Sequence, residues 1–246
     1  MAFYLAMTAT EMQHSAVLPR KLAYMACHFS PYAIGLSNLP DTLPESSIII
    51  LNDRMPIAGH DPNCIAQQLT QLSERTGAAG ILLDLQRPDC QETAALVQAL
   101  TKSISCPIAI SPSYAVDNFP VFLPPFPINT PLEEALAPWK SREIWLDVSP
   151  GQMCITVNAS GATDTSAECP SDGFWQYHDD LCCHYQIQLH EDCARFFIYR
   201  KEDDIQQLLE KTNLLGVTNA VGLYQEWTAA TALQCDCLPS TDTDRS

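Results

Sequence analysis

Short apolar segments alternate with amphipathic ones between Ser47 and Ser111, and this alternation constrains the fold more than any other feature. The segments SIIILND, GILLDLQ and CPIAIS are apolar almost throughout instead of at every second position. Strands that are buried on both faces have this pattern. The order strand, helix, strand, helix, strand predicts a parallel sheet, because parallel neighbours need a crossover connection that is usually a helix.

Capping residues mark both helices of this stretch. Asp61 is placed to cap the first helix, Pro62 stands in its first turn, and Gly77 marks its end. Asp89 precedes the second helix, which covers QETAALVQALTKSI, and is predicted to cap it. Each helix is therefore bounded by its own sequence signals and links two strands of the same sheet.

Further strands are predicted on either side of this stretch. On its N-terminal side they are FYLAMTA and LAYMACHF. On its C-terminal side, six prolines between Ser111 and Pro131 exclude a long helix and leave room for a short strand at VFL. A brief helix over PLEEALAPW precedes a strand at Arg142–Val148, and QMCITVNAS is predicted to pair antiparallel with that strand.

The last third of the chain begins with a polar segment, Gly161–Gly173, that we predict to be a loop. HYQIQL and ARFFIYR are separated by a short turn over residues 190–193 and predict a β-hairpin with alternating faces. A helix from Glu202 to Thr212 then leads into a final strand, VTNAVGLY.

Together these elements predict an α/β fold, a (β/α)8 TIM-type barrel with an antiparallel hairpin insertion near residues 152–200. We expect one domain over residues 1–237 and a disordered tail over residues 238–246. An open doubly wound sheet is the alternative. Its nucleotide-binding form needs a glycine-rich turn such as G-x-G-x-x-G after a strand, and the sequence contains none.

The charge of the chain argues against several classes of partner. Its 246 residues carry 13 basic and 29 acidic side chains, a formal net charge of −16, which repels phosphate backbones and anionic lipid surfaces. The N-terminus lacks the basic region of a signal peptide, and no segment has the roughly 20 apolar residues of a membrane span. We therefore expect a cytoplasmic protein that binds neither nucleic acid nor membranes.

Eleven cysteines are scattered along the chain, an odd number that cannot all pair within one molecule. With no export signal, reduced thiols that fill small gaps in the core are expected. A cluster of potential metal ligands comprises His178, Cys182, Cys183, His184, His190 and Cys193. Its spacing lacks a C-x-x-C pair, and adjacent cysteines on a strand point to opposite faces, so no metal site and no cofactor are predicted.

The segment Gly80–Pro88, GILLDLQRP, carries a resemblance to a known family. It resembles the fourth barrel strand of the family 18 glycoside hydrolases, the chitinase family, which ends in D-G-x-D-x-D-x-E. In that family the final Glu protonates the glycosidic oxygen. Asp84 matches the third acid of the motif, whereas Ala79 and Leu82 replace the first two and Gln86 replaces the Glu. Because an amide has no titratable proton, the resemblance implies a barrel without this general acid.

Other strands extend the resemblance over most of the chain. LAYMACHFSP is similar to that family's second strand, SIIILND to its third and CPIAISPSY to its fifth. NLLGVTNAVGLYQEW resembles the closing helix and strand, with Trp227 near the tryptophan that the family places at the barrel floor of the sugar site. The sixth-strand Tyr-Asp pair of active members is absent from VFLPPFP. The resemblance thus implies a sugar-site barrel in which Asp84 can still orient an acetamido group.

Polar residues follow most of the predicted strands, and ligands of such barrels bind at the C-terminal ends of the strands. The predicted ring at this end is His28, Ser30, Asn52, Asp53, Arg54, Asp84, Gln86, Arg87, Ser111, Tyr114, Asp147, Tyr224 and Glu226. The predicted ligand contacts are His28, Asn52, Asp53, Asp84, Gln86, Arg87, Tyr114, Tyr224, Glu226 and Trp227. Ion pairs that anchor loops, Asp53 with Arg54 and Asp84 with Arg87, are the structural alternative.

Three functional hypotheses follow. The first is a non-catalytic barrel that binds a carbohydrate or another small polar ligand at its C-terminal mouth. The second is a glycoside hydrolase-type enzyme in which Asp84, Asp53 and Glu226 supply the acid and the base. The third is a ligand-free scaffold that meets a protein partner through the hairpin or the acidic surface.

Overall fold

A computed structural model describes residues 1–32, 34–88, 90–165, 170 and 173–227. The contacts divide the chain into two compact units. The barrel unit comprises residues 1–124, 141–147 and the described residues from 217 onward. The insert unit comprises residues 125–140 and the described residues within 148–216. The predicted single domain over residues 1–237 stays a prediction, and the predicted disordered tail lies outside the described residues.

The strands, in chain order, are β1 (Ala2–Met7), β2 (Leu22–Phe29), β3 (Leu36–Ser37), β4 (Ile48–Asn52), β5 (Gly80–Asp84), β6 (Ile108–Ile110), β7 (Val121–Leu123), β8 (Ile144–Asp147), β9 (Gly151–Asn158), β10 (Gly161–Thr165), β11 (Gln176–His178), β12 (Cys183–Leu189), β13 (Cys193–Arg200) and β14 (Val217–Leu223). The α-helices are α1 (Ala9–His14), α2 (Pro62–Thr76), α3 (Gln91–Ser103), α4 (Leu132–Leu136) and α5 (Glu202–Leu214). Short 3-10 turns cover Pro112–Tyr114, Ala137–Trp139 and Tyr224–Glu226.

Eight parallel strands of the barrel unit form a closed sheet in the order β1, β2, β4, β5, β6, β7, β8 and β14. Closure comes from the parallel pairing of β14 with β1, which leaves no free edge. The short β3 adds an antiparallel pair to the end of β2. The predicted TIM-type barrel is confirmed, and the open doubly wound alternative is excluded because the two edges of the sheet are joined.

Helix α2 begins and ends as its sequence signals predict. Asp61 is the N-cap and accepts a hydrogen bond from the Asn63 N–H, Pro62 opens the helix, and Gly77 ends it with a φ of +65°. Helix α3 begins after Cys90, which makes no side-chain capping bond. The predicted cap Asp89 lies outside the described residues.

The first strand ends two residues earlier than predicted, and helix α1 begins at Ala9, the last residue of the predicted segment FYLAMTA. Thr8 and Glu11 form a capping box, in which each side chain accepts a hydrogen bond from the other's backbone N–H. These bonds satisfy two of the N–H groups that a helix N-terminus leaves without an intrahelical partner. The strand therefore ends at Met7, and a one-and-a-half-turn helix follows.

Alternate residues of the barrel strands point to opposite sides, which divides the core into two layers. The inner layer consists of Tyr4, Ala6, Ala23, Ile48, Ile50, Leu82, Ala109, Phe122, Trp145 and Val221. The outer layer joins the other strand residues, such as Ile49, Leu51, Ile81 and Leu83, to the buried faces of α2 and α3. Both faces of each strand are thus buried, and this explains why the strand segments are apolar throughout.

The insert unit contains a five-stranded antiparallel sheet in the order β10, β9, β13, β12 and β11. The predicted hairpin is confirmed as β12 and β13, with His184 opposite Tyr199 and Leu189 opposite Ala194. The predicted pairing of QMCITVNAS with the strand before it is wrong. Both edges of β8 are taken by β7 and β14, so β9 pairs instead with β10 and β13.

The segment predicted as a polar loop begins with a strand. Residues 161–165 form β10, which pairs with β9. Its alternation of small and polar residues suits an edge strand with one face in solvent, a pattern that resembles a loop in composition. Residues 166–169, 171 and 172 of the predicted loop lie outside the described residues.

Seven described cysteines are free thiols: Cys27, Cys64, Cys90, Cys106, Cys182, Cys183 and Cys193. Burial raises the pKa of the Cys27 thiol to about 12, which keeps it protonated and unreactive. Within the described part of the chain, no group of three or more His, Cys, Asp or Glu side chains is arranged to hold a metal ion. Of the helices in that same part, none combines the length and apolar character needed to cross a bilayer.

Candidate functional site

A small cavity lies inside the barrel unit, between the apolar inner layer of the core and the inward-facing side chains at the C-terminal ends of the strands. Its volume is about 60 Å³. It is lined by Ala6, Met25, Ile50, Asn52, Arg54, Leu82, Asp84, Phe122, Asp147, Val221 and Leu223. On this measure one water needs about 10–15 Å³, so the cavity has room for a few water-sized groups, such as a small polar substituent.

The polar residues of this cavity come from the last positions of neighbouring strands. Asn52 ends β4 and Asp84 ends β5, and the two lie directly opposite each other in the parallel register. Asp147 ends β8 and also lines the cavity. Each follows an apolar inward residue two positions earlier, because the side chains of a strand alternate between its faces. One polar layer therefore covers the apolar inner layer of the barrel.

Asp84 is a half-buried carboxyl group with a perturbed pKa. Burial raises its pKa, and the nearby Asp53 carboxylate adds to this effect. A hydrogen bond from Gln86 and the charge of Arg54 act in the opposite direction. The net shift is upward, so Asp84 holds its proton to a higher pH than an exposed aspartate and can act as a hydrogen-bond donor over a wider range.

Gln86, which the motif resemblance matches to the family 18 proton donor, contacts Asp84 directly. Its Nε2 donates a hydrogen bond of 3.2 Å to Asp84 Oδ1. The side chain is otherwise exposed to solvent. An amide in this position can orient a neighbouring carboxyl group and bind a polar ligand, but it cannot deliver a proton to a leaving oxygen.

Asp53 is buried beneath the loop that follows β5 and fixes that loop in place. Its Oδ1 accepts a hydrogen bond of 3.0 Å from the Gln86 N–H, and its Oδ2 accepts one of 2.8 Å from the Arg87 N–H. Only 5% of the residue is exposed. Both carboxylate oxygens are thus used to hold backbone, and they set the position from which Gln86 reaches Asp84.

Two side chains that follow β6 hold the same loop from its other side. Ser111 Oγ accepts a hydrogen bond from the Leu85 N–H and donates one to the Leu83 carbonyl, at 2.8 and 2.9 Å. Tyr114 Oη donates to the Arg87 carbonyl and accepts from the Cys90 N–H. The loop after β5 is therefore anchored by side chains from both neighbouring strands, and this rigid attachment favours a preorganised site.

Arg87, a predicted ligand contact, extends along the rim of the barrel unit. Its guanidinium donates a hydrogen bond of 2.7 Å to the Arg54 carbonyl. The ion pairs considered from the sequence, Asp53 with Arg54 and Asp84 with Arg87, are not among the ion pairs of the described residues. The acids are instead engaged by backbone N–H groups and by the Gln86 amide.

Two further predicted contacts bond to groups outside the cavity lining. His28 places Nδ1 2.9 Å from the Ala26 carbonyl. Tyr224 Oη lies 3.3 Å from Ser15 Oγ. The structure therefore brings Asn52 and Asp84 together in the cavity, with Gln86 bonded to Asp84. His28 and Tyr224 do not belong to the lining of this cavity.

Glu226 and Trp227 also stand apart from the cavity. Burial raises the pKa of Glu226, and its Oε2 is buried without a hydrogen-bond partner among the described residues. The Trp227 ring packs on Phe3, with ring centroids 4.9 Å apart, and covers Gly222, where a Cβ would come within 2.8 Å of Nε1. Val221 and Leu223 line the cavity, so Gly222 and the ring against it lie on the opposite face of β14.

The aromatic residues inside the barrel are ones that the sequence hypothesis did not select for the site. Phe122 lines the cavity, and Trp145 lies deeper, stacked on Tyr4 with ring centroids 6.5 Å apart. The alternation of side chains along a strand could have identified Trp145 as an inward-facing residue, because it lies two positions before Asp147 and must point to the same side. Whether Phe122 points into or out of the barrel could be inferred only once the register of its strand was known.

Replacing Asp84 by asparagine should stabilise the barrel at neutral pH. The folded-state pKa of Asp84 is raised, so the ionised form is disfavoured by folding, and this cost appears as the pH rises through the unfolded and then the folded pKa. We expect the free energy of unfolding of Asp84→Asn to exceed that of wild type at pH 7. Below pH ~3.9, the ordinary aspartate pKa, the two proteins should converge.

Urea denaturation over a pH series measures this difference. Asp41→Asn, a change at an exposed loop carboxylate, is the matched control and should follow wild type throughout. A wild-type protein that is more stable than Asp84→Asn at pH 7 would show that ionised Asp84 has a stabilising partner and would contradict the inferred pKa shift.

The comparisons place this barrel in one structural class. No protein-family profile and no curated protein sequence matches the chain. Solved structures do match it at the level of fold, and glycoside hydrolase family 18 proteins and a chitinase-like protein are among them. The chain therefore has the fold of the family 18 glycoside hydrolases, as the resemblance in the sequence predicted.

Three solved structures illustrate the match. A chitinase-like agglutinin from Robinia pseudoacacia has a TM-score of 0.59 and 10% identity, over 94% of this chain and 98% of that one. A family 18 N-acetylglucosaminidase from Paenibacillus barengoltzii has a TM-score of 0.58 and 8% identity, over 95% and 98%. A mutant family 18 chitinase from Cycas revoluta, in complex with (GlcNAc)4, has a TM-score of 0.53 and 12% identity, over 96% and 97%.

Proposed function

We propose that this protein binds a carbohydrate carrying acetamido groups at the mouth of its barrel and does not hydrolyse it. The observation that carries the proposal is the Gln86 amide, which the motif resemblance matches to the family's proton donor and which bonds to Asp84 at 3.2 Å. The pair keeps a carboxyl group that can orient an acetamido group. It lacks a group that can protonate the glycosidic oxygen.

The size and chemistry of the cavity support an acetamido group as the part that enters. A volume of about 60 Å³ fits a small substituent, and Asn52, Asp84 and Asp147 offer hydrogen bonds to its N–H and C=O. The apolar members of the lining, among them Phe122 and Met25, suit its methyl group. The sugar ring would then remain above the mouth, in solvent or against the rim residues Arg54 and Arg87.

Two of the structural neighbours agree with this proposal. One is named as an agglutinin that is chitinase-like. Another is a chitinase mutant with a glutamate-to-glutamine change that was determined in complex with (GlcNAc)4. A barrel of this fold can thus hold an N-acetylglucosamine oligomer while carrying such a substitution, and Gln86 is the corresponding type of residue in the present motif.

A thermal-shift series with N-acetylglucosamine oligomers tests the proposal, with wild type, Asp84→Asn and the control Asp41→Asn. We expect a dose-dependent rise in Tm for wild type and Asp41→Asn, because a ligand that binds only the folded state adds about 2.7 kcal/mol of stability at 100 times its Kd. Asp84→Asn should lose most of the shift. An equal shift in all three proteins would remove Asp84 from the site.

An enzyme is the second candidate: burial raises the pKa of both Asp84 and Glu226, a direction typical of catalytic acids, although Glu226 lies outside the cavity that Asp84 lines. In this hypothesis Asp84, Asp53 and Glu226 divide the acid and base roles. It predicts release of shorter oligomers by wild type and loss of that release in Glu226→Gln. The carbohydrate-binding proposal predicts intact oligomers in both cases.

A ligand-free scaffold is the third candidate and predicts a different outcome in the same series. No oligomer should change the Tm of wild type, and Gln86→Glu should show neither binding nor hydrolysis. New hydrolysis in Gln86→Glu would instead indicate that the rest of an ancestral sugar site persists in this barrel.

A further inference from the structure

Two arginine side chains lie together on the rim of the barrel mouth, and an acetamido group alone does not explain them. Arg54 follows β4 and lines the small cavity beside Asn52 and Asp84. Arg87 follows β5, the strand that pairs with β4. Both arginines belong to the barrel unit and both are exposed. The chain has 13 basic residues against 29 acidic ones, so two guanidinium groups on neighbouring loops distinguish this part of the rim.

Hydrogen bonds between the two loops fix the position of the Arg87 guanidinium. Asp53 accepts from the Gln86 and Arg87 N–H groups at 3.0 and 2.8 Å, and Arg87 Nη2 donates to the Arg54 carbonyl at 2.7 Å. These three bonds join the loop after β4 to the loop after β5. Because the carbonyl is a neutral acceptor that uses one of five N–H donors, the Arg87 charge is held beside Arg54 with donors to spare.

The Arg54 guanidinium makes no such bond. Among the described residues, Arg54 forms hydrogen bonds only through its backbone N–H and carbonyl groups, and no ion pair includes it. Its charge acts to lower the pKa of Asp84, against the larger upward effect of burial, so the guanidinium faces the polar layer of the cavity. Its side-chain N–H donors are therefore available to a ligand at the mouth.

The carboxyl groups and the arginines lie at different positions along the two chain segments. Asn52 and Asp84 are the last residues of their strands, and Arg54 and Arg87 follow in the loops. Asp53, the acid between them, is buried and uses both oxygens to hold backbone N–H groups. A neutral acetamido group therefore suits the cavity, and an anionic group suits the rim next to it.

We propose that the preferred ligand is an acidic amino sugar whose carboxylate is attached next to the acetamido-bearing carbon. This inference rests on the acetamido-binding function proposed above. N-acetylmuramic acid has this arrangement, with the acetamido group at C2 and a carboxylate-bearing ether at C3. With the acetamido group in the cavity that Arg54 lines, the C3 substituent lies at the rim, beside Arg54 and Arg87. Guanidinium groups bind carboxylates through charge-assisted hydrogen bonds, so the two arginines select the acidic sugar.

Nuclear magnetic resonance titrations of the wild-type protein at pH 7 test the proposal. The ligands are N-acetylmuramic acid, its methyl ester, which keeps the size without the charge, and N-acetylglucosamine, which lacks the ether. We expect the acid to bind at least about tenfold more tightly than either neutral sugar, with an advantage that shrinks as salt is added. Equal affinity for the acid and its ester would overturn the inference.

Chitotetraose, titrated alongside, separates this inference from the function on which it rests. If chitotetraose binds and the acid has no advantage over its ester, the inference fails and the acetamido site stands. If neither chitotetraose nor any of the three monosaccharides binds, both fail.

N-acetylneuraminic acid tests where the charge must lie. It carries an acetamido group and a carboxylate on opposite sides of its ring, so it cannot place both groups as N-acetylmuramic acid does. We expect it to bind no more tightly than N-acetylglucosamine. Tighter binding than that of N-acetylmuramic acid would contradict the neighbouring arrangement of the two groups.

Variants assign the selection to the two arginines. Arg54→Gln and Arg87→Gln should each reduce the advantage of the acid over its ester to about threefold or less. Arg20→Gln, at an exposed arginine that precedes β2 at the other end of the barrel, is the matched control and should keep the full advantage. Since the Arg54 side chain holds no loop, its effect cannot come from a displaced backbone. An undiminished advantage in both rim variants would contradict the assignment.

Discussion

Replacing Leu82 by aspartate is expected to lower the free energy of unfolding by about 3–5 kcal/mol, the usual cost of a buried charge without a partner. Leu82, which the motif resemblance matches to the second acid of the family 18 motif, is fully buried in the inner layer of the barrel, with Ile50 and Phe122 in the same cluster. An introduced carboxylate would lose the apolar contacts of Leu82, and at the cavity that Leu82 also lines it would meet the carboxyl groups of Asp84 and Asp147.

Urea denaturation at pH 7 measures this loss, with Leu82→Met as a control that conserves volume. The methionine variant should lose less than about 1.5 kcal/mol. Lowering the pH should restore part of the stability of Leu82→Asp, because a buried carboxyl group is tolerated better when protonated. A Leu82→Asp protein within 1 kcal/mol of the methionine control would contradict the apolar inner layer described above.

The second large effect is expected from Asp53→Ala, with a loss of about 3 kcal/mol in the free energy of unfolding. The change removes the acceptors of the Gln86 and Arg87 N–H groups, and leaving a partly buried donor without a partner costs about 1–3 kcal/mol each. Asp53→Asn keeps one acceptor oxygen and should lose an intermediate amount. Hydrogen exchange at the two amides should accelerate in the same order.

Asp41→Ala, at an exposed loop position, is the matched control for this prediction and should stay close to wild type. The measurement is urea denaturation at pH 7 combined with hydrogen exchange of the loop after β5. If Asp53→Ala is no less stable than Asp41→Ala, Asp53 does not anchor that loop, and its carboxylate becomes available for the acid and base roles of the enzyme hypothesis.

The closed barrel could be predicted because its strands carry local signals. Segments such as Ile48–Asn52 and Gly80–Asp84 are apolar throughout, since helices cover one side and the inner layer covers the other. The caps Asp61 and Gly77 set the length of α2 from sequence alone. The short helix α1 also had a local signal, the T-x-x-E pattern of Thr8 and Glu11, which the apolar residues before it obscured.

Pairing partners could not be predicted in the same way, because they depend on the whole sheet. β9 follows β8 closely and has a strand composition, so an antiparallel pair was a reasonable local inference. In the closed barrel both edges of β8 are paired, with β7 and with β14, and no local sequence signal near β8 indicates these pairings. β10 was missed for a related reason, since an edge strand with small and polar residues has the composition of a loop.

Part of the candidate site could likewise be predicted from the sequence, and part depends on the folded backbone. Asn52 and Asp84 could be placed together from the sequence, because neighbouring parallel strands end at the same side of a sheet. The role of Asp53 depends on where the loop after β5 returns, and that is a property of the folded backbone. The position of Trp227 on the outer face of β14 likewise depends on the path of the chain after the strand ends.

The most direct test of the account is isothermal titration of the wild-type protein with chitotetraose and with cellotetraose, followed by chromatography of the recovered sugar. The two oligomers differ in whether acetamido groups or hydroxyl groups are attached at C2. We predict saturable binding of chitotetraose, at least about tenfold weaker binding of cellotetraose, and recovery of intact chitotetraose. Equal binding of both oligomers, no binding of either, or recovery of shorter fragments would contradict a barrel that recognises the acetamido group without cleaving the sugar.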